Sequence, residues 1–424
     1  MSQSVISGQT GPMENIRRLI RLMGPGILMA TAAVGGSHLV ASTQAGAQFG
    51  WQLALLILAV NLFKYPFFRA SVSYTYSTRN TLQQGYRDMG KGYLLVSFML
   101  NIVAAVVNTA ALLMFAASLL GYFLPFELPM AALASVVLAV VLVIIIAGHF
   151  SAINRASKAI MAVLIMATVI ALLMAWNEGA VAPPEFTSPS PWTLATIGFL
   201  VVTMGWMPAP IEVSCLTSLW LKQQCNENPV TAQSALFDFN LGYFITLLLA
   251  LVFLALGALV LHGNGETLAS GGIGFSSQLI NLYAHTIGEW SRYLVALIAF
   301  LCIFGSTLTV YDGYCRALAE GMTLLKGQEK APDKVFLGWL VAVAVVSFGI
   351  VLFFKSALLP MLSFAMTLAF ITTPMFAWLN HRLVKRAELD PALKGGIVLQ
   401  MLTYSGLIYL FGFLLAFVAW KWWG

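Results

Sequence analysis

The residues most able to do chemistry in this sequence stand where charge is expensive. Met207-Pro208-Ala209-Pro210-Ile211-Glu212 sets two prolines and a carboxylate inside an apolar run covering 192–221. Prolines two residues apart remove two backbone donors and clash with the preceding turn, so no helix passes through unbroken. A carboxylate at mid-bilayer costs about 2.5–3.5 kcal/mol on insertion scales unless it meets a partner or water. One half-chain earlier, Gly35-Gly36-Ser37-His38 interrupts the run 24–48. Broken backbone is tolerated at that depth only against protein or a wet cavity. Two interrupted spans at corresponding places in two halves point to a transporter's binding site.

The other intramembrane polar groups sort around those two breaks. His38 carries an imidazole, which suits Mn, Fe, Zn or Ni better than Mg and also relays protons. Its blander role is to hydrogen-bond backbone freed by the glycines. Gly35 and Gly36 are expected to open the helix and leave carbonyls as oxygen ligands. Lys64, in Phe63-Lys64-Tyr65-Pro66 near mid-span, is expected to pair with Glu212 or Asp312 rather than to snorkel. A fixed cation there can stand in for a coupling ion or attract an anion. Asp312 and Arg316 lie four apart on one helix face, the spacing of a simple ion pair. Asp238 reads as an interfacial or gating acid. Asn61, Asn101, Asn108 and Thr367 are polar at mid-span, where such side chains most often glue helices together. Phosphate-binding loops, nucleophile elbows and paired metal-binding helix motifs are absent from the sequence, so neither an enzyme nor an ATP-driven pump is expected.

The elements that must position these groups follow from composition. The 424-residue chain is 60% hydrophobic and 9% charged, with a mean hydropathy of +0.87, against about 25% charge in soluble domains. It reads as an all-α integral membrane protein. Apolar runs long enough to span fall at 24–48, 51–76, 93–123, 127–147, 154–176, 192–221, 236–262, 287–324, 334–354, 356–381 and 396–423, eleven in all. The eighth is overlong, so its end with Arg316 and Glu320 is expected to project from the membrane. Pro360 and Pro374 predict kinks in the tenth. The loops at 177–191 and 263–286 are expected to lie outside and cover an entrance. The net charge of +6 invites a nucleic-acid reading, but Lys and Arg alternate by loop. Arg17, Arg18 and Arg21, then Arg79, Arg87 and Lys91, then Arg155 and Lys158, Lys222, Lys326 to Lys334, and Arg382 to Lys394 fall on one side. Arg292, Lys355 and Lys421 fall on the other. The basic side is cytoplasmic, which puts the N-terminus inside a plasma (inner) membrane. Cys215, Cys225, Cys302 and Cys315 lack metal-ligand spacing and are expected as free thiols.

Five spans from each break are related by inversion, because an odd number per half reverses direction. The division is a cytoplasmic segment 1–23, a first five-helix repeat 24–176, an outer loop 177–191, a second repeat 192–382, and a loop with an eleventh helix at 383–424. This is the five-plus-five arrangement of LeuT-type transporters, with helices 1 and 6 broken.

Gly24-Pro25-Gly26-Ile27-Leu28 and Gln44-Ala45-Gly46-Ala47-Gln48-Phe49-Gly50 resemble the first span of the NRAMP divalent-metal transporters. Gly305-Ser306-Thr307-Leu308-Thr309, with Tyr311 and Gly313, resembles that family's eighth span. The resemblance covers nearly the whole chain and implies a divalent-metal transporter. It also implies where the family's ligands would fall. The Asp of its first break falls on Gly35 and the Asn on His38. In the sixth span its Met falls on Ala209, its Pro on Pro210 and its His on Ile211, while a shift of two residues puts the Met on Met207. The acidic pair of the third span is replaced by Asn101 and Ala104, and the tenth-span Gln by Thr367.

These readings lead to a secondary or facilitative transporter of a divalent metal of the Mn, Mg or Fe class. Its cargo would sit among Glu212, His38, Gly35, Ala209, Met207 and Thr367, with Lys64, Asp312 and Asn101 as ion-pair or coupling residues and proton coupling weak. The alternative is a transporter of a small anion or zwitterion that uses Lys64 and helix N-termini. No cofactor is expected beyond a transported metal ion. The partners are lipid and a small ion, not nucleic acid.

Overall fold

The computed structural model describes residues 23–147, 150–183, 185–265, 272–354 and 357–423. Arg17, Arg18, Arg21 and Lys355 of the topology argument lie outside the described residues, as does 266–271 of the second outer loop. Fifteen helices follow one another, and among the described residues there are no strands. They are α1 (Pro25–Ala33), α2 (Ser37–Phe49), α3 (Ala54–Thr78), α4 (Leu82–Met89), α5 (Lys91–Tyr122), α6 (Met130–Ala147), α7 (Phe150–Glu178), α8 (Ile197–Trp206) and α9 (Val213–Glu227). Then come α10 (Ala232–Val260), α11 (Gly272–Ile287), α12 (Arg292–Leu325), α13 (Asp333–Phe354), α14 (Leu358–Arg386) and α15 (Ile397–Trp423). Nine helices are long and apolar enough to cross a membrane among the described residues, and α1 with α2 forms a tenth, bent by 49°. The sixth apolar run is divided between α8 and α9. The all-α architecture with two interrupted crossings is therefore as expected.

The interrupted elements lie inside the bundle. α10 packs along α1 and α2, α12 along α5 and α7, α14 against α8, and α9 against α3. Close approach explains Gly26 and Gly242 at the α1–α10 crossing. A Cβ on Gly26 would fall 2.1 Å from the Asp238 carbonyl oxygen, and one on Gly242 would fall 2.2 Å from that of Gly26. Small residues let helices meet backbone to backbone where hydrophobicity cannot drive association. Asp238 stands at this crossing and accepts from Gly24 N (3.2 Å) and Gly26 N (2.8 Å). It caps the start of α1, where amide groups lack helical partners and the helix dipole favours negative charge. It is thus held at the α1–α10 crossing by two backbone amides.

The end of α12 packs within the protein: Glu320 is buried, and Thr81 Oγ1 donates to it at 2.9 Å. Thr81 caps α4, an amphipathic helix whose short length hid it from a search for spans. Two further expectations change. The 263–286 stretch is not all loop, because α11 buries Phe275, Leu279 and Ile280. Pro360 sits in the first turn of α14, where the missing donor costs nothing, and only Pro374 is interior. The four cysteines are free thiols, three of them buried.

Candidate functional site between the two helix breaks

At the first break, α1 ends with Val34 N donating to Ala30 O, and α2 begins with a π-helical stretch over Ser37–Ser42. The carbonyls here are not free. Ser306 Oγ, from α12, donates to Ala32 O at 2.8 Å, and Cys302 Sγ contacts Val34 O at 3.3 Å. Gly35 O accepts from both His38 N and Leu39 N. The expectation that Gly35 exposes a carbonyl ligand is corrected for this reason. Both glycines answer to packing: a Cβ on Gly35 would lie 2.7 Å from Ser306 Oγ, and one on Gly36 would lie 2.7 Å from the Trp206 ring.

His38 turns away from the break toward α10. Its Nε2 donates to the Thr246 carbonyl at 2.9 Å, and its Nδ1 lies 2.7 Å from Ser37 Oγ. A carbonyl only accepts, so the proton resides on Nε2 and the Nδ1 lone pair faces the serine hydroxyl. The ring is fully buried, and the serine hydroxyl beside Nδ1 also lies 3.0 Å from the Ala33 carbonyl, to which it can donate. His38 does not line the cavity between the breaks, and its contacts are those of the blander role, a histidine that ties two helices together.

The second break is built around charge. α8 stops at Trp206, Met207 is extended, and α9 starts at Val213. Lys64, buried on α3, points its ammonium at the end of α8 and donates to Met204 O (2.8 Å), Gly205 O (3.0 Å) and Ala209 O (3.2 Å). All three N–H groups are thereby used, and the cation sits on the negative end of the α8 dipole. Lys64 feels the charge of Glu212, but no contact ion pair joins them. The ion pairs among the described residues are Arg87–Asp88, Arg292–Glu289 and Arg316–Asp312. The expected pairing of Lys64 with a carboxylate is replaced by a carbonyl cage. Asp312 instead takes Arg316 at 2.8 Å, the helix-face pair that the spacing allowed.

Glu212 is fully buried at the start of α9. Its Oε1 accepts from Tyr314 Oη at 3.4 Å, Tyr314 in turn accepts from Asn108 Nδ2 at 2.9 Å, and its Oε2 has no partner. A cavity of about 20 Å³, room for about one water, lies between the breaks. It is lined by Gly35, Gly36, Trp206, Ala209, Asn108 and Tyr314 among others. Glu212 reaches it through Tyr314. The buried indole N–H of Trp206 also has no partner. Asn108, Ser306, Val310 and Tyr314 therefore matter to the site. The last three recur at every fourth residue of α12, a helix-face spacing that sequence reading could have used.

The remaining candidates are dispersed. Ala209 faces the cavity, while Met207 packs into an apolar cluster with Ile57 and Val60 of α3. That favours the register in which the family's Met falls on Ala209. Thr367 is half-buried and turns back to Ser363 O. Asn101 is buried against Ser97, with its Oδ1 unpartnered. Neither lines the cavity. Among the described residues no three His, Cys, Asp or Glu side chains converge as a metal centre.

Residues 26–419 match the family described as Natural resistance-associated macrophage protein-like (Nramp). An uncharacterized protein of Pasteurella multocida (strain Pm70) is 46% identical over 400 residues, 94% of this chain and 92% of its own length. Among solved structures, a mutant of the Eremococcus coleocola manganese transporter superposes with a TM-score of 0.72 at 14% identity, covering 99% of this chain and 89% of that one. A nucleobase-cation-symport-1 family transporter, closed with bromovinylhydantoin bound, gives 0.60 at 14% identity, covering 95% and 92%. At those identities the structures speak to fold alone.

Proposed function

The chain belongs to the natural resistance-associated macrophage protein-like family, and from that premise we propose that it is a membrane transporter, not an enzyme, whose cargo is a divalent metal cation. Alternating access would operate around the paired breaks, with 24–176 and 192–382 as the two inverted repeats. One observation carries the reading: Glu212 Oε2 is a buried carboxylate oxygen without a partner, on a side chain joined through Tyr314 to the cavity between the breaks. A buried anion in a membrane that lacks a counter-ion contact is a site by default. In a transport cycle Glu212 supplies the charge, and Tyr314 with Asn108 the hydroxyl and amide that orient the carboxylate. The Eremococcus coleocola protein of the same fold is a manganese transporter, which supports a cation of that class here. The cavity holds neither thioether nor available imidazole, so oxygen-preferring ions such as Mg or Mn suit it better than soft ones. Asn101 and Ala104 carry no proton, which supports transport with weak proton coupling. The Lys and Arg bias supports a plasma-membrane protein with its N-terminus inside. A single cysteine placed at Gln328 would be labelled from the cytoplasm, and labelling from outside would reverse that topology.

The test is uptake into liposomes containing purified protein, across a panel of divalent metals and small anions, with and without a pH gradient. Uptake of Mn or Mg that is lost in Glu212→Gln is the expected result. A second reading, a small anion or zwitterion as cargo, is favoured by the buried Lys64, which has no carboxylate in contact, and by the lack of converging metal ligands among the described residues. Anion uptake that survives Glu212→Gln, with no metal taken up, would replace the first reading by the second.

A further inference from the structure

A crevice of about 410 Å³ opens between α3, α14 and α15, and the 387–396 loop closes one side. Four of its lining residues are basic: Arg69, His381, Lys385 and Lys394. None is acidic. Arg69 lies well inside α3, which continues to Thr78. Its Nη2 reaches only Leu393 O, at 3.3 Å, and its Nε is buried without a partner. No ion pair among the described residues includes any of the four. Glu388 and Asp390 belong to the same loop but do not line the crevice, and Asp390 Oδ1 is used by Ala392 N at 2.8 Å.

An arginine inside a span ordinarily pairs with an acid or faces water. Here the fold gathers three more basic groups around it and withholds every carboxylate. His381 is held by the Tyr404 ring, with centroids 5.3 Å apart. The planar guanidinium fork suits two oxygens of one phosphate, and the lysines add point charges at the rim. Beside the crevice, Ile397, Met401 and Ile408 of α15 turn outward, an apolar strip on which acyl chains can lie. Basic pockets between span ends are where anionic headgroups bind.

We propose that this crevice is a phosphate-anion site, fitted to the headgroup of an anionic phospholipid at the span ends that carry the basic loops. It is independent of the cargo reading and stands or falls without it. Inorganic phosphate shares the chemistry, and the test separates the two sources. Full-length protein is purified in detergent, supplied with phosphatidylglycerol or phosphatidylcholine of equal chain length, and examined by native mass spectrometry, with and without millimolar inorganic phosphate. Preferential retention of about one phosphatidylglycerol is expected, unaffected by inorganic phosphate. Lys385→Gln with Lys394→Gln should weaken retention by about fivefold for each charge removed, and Arg69→Gln by more. Binding of inorganic phosphate without lipid preference, lost in the same variants, would uphold the site and assign it to the free ion. Equal retention of both lipids with no phosphate bound, or retention unchanged in the lysine double variant, would overturn the proposal. The lysines lie on the exposed rim, so that variant reports even if Arg69→Gln folds poorly.

Discussion

The two breaks face the same physical demand and meet it with different groups. Backbone released from a helix at membrane depth must find partners within the protein. At the first break those partners are neutral, Ser306 and Cys302 of α12 together with α2's own amides. At the second, one ammonium serves three carbonyls, while a carboxylate a few residues on keeps an oxygen unpartnered. The first break is therefore limited by packing and the second by charge. Of the two breaks, the second is the one where a buried carboxylate and a buried ammonium stand at the interruption.

Substitutions can break or sharpen that contrast. Lys64→Met should be the most damaging, since it strands three buried carbonyls. At about 1–3 kcal/mol each, the loss should reach about 3 kcal/mol or more in the unfolding midpoint of the purified protein. A loss no greater than that of removing a single hydroxyl would erase the distinction between the breaks. Gly36→Ala should come next, at about 1–3 kcal/mol, because its Cβ meets Trp206 in a filled interior. Trp206→Phe in the same chain should recover part of that loss if packing is the cause. Ser306→Ala should cost about 1 kcal/mol, the ordinary worth of a buried hydrogen bond, and should leave uptake measurable. Glu212→Gln should be smallest in stability, within about 1 kcal/mol of the parent, because it relieves an uncompensated buried charge without changing shape. Its effect on metal uptake should nevertheless be complete. A variant equally stable and equally active would remove Glu212 from the site.

His38 tests the same line from the other side. As a tie between α2 and α10 it predicts that His38→Ala loses stability, by about 1–3 kcal/mol for two lost hydrogen bonds, while the affinity of the surviving protein for metal is unchanged. A fall in affinity without a fall in midpoint would restore it as a ligand.

Much of this protein is local in origin and so legible in the chain. Apolar runs near the bilayer thickness mark the crossings. Pro208 and Pro210 stop α8 wherever they lie in space, since their missing donors depend on nothing else. Asp312 and Arg316 meet because four residues make about one turn. The sequence determined, by itself, the helical class, the two interruptions, their symmetric places and the charged residues near them. Which charge meets which group was decided only in the folded bundle. Lys64 reaches carbonyls 140 to 145 positions away, His38 a carbonyl 208 away, and Asp238 amides 212 and 214 away. Contacts at that range depend on helix rotation and crossing. Where several carbonyls and one carboxylate compete for a single ammonium, residue type alone cannot rank them, because geometry and desolvation choose among partners of similar strength.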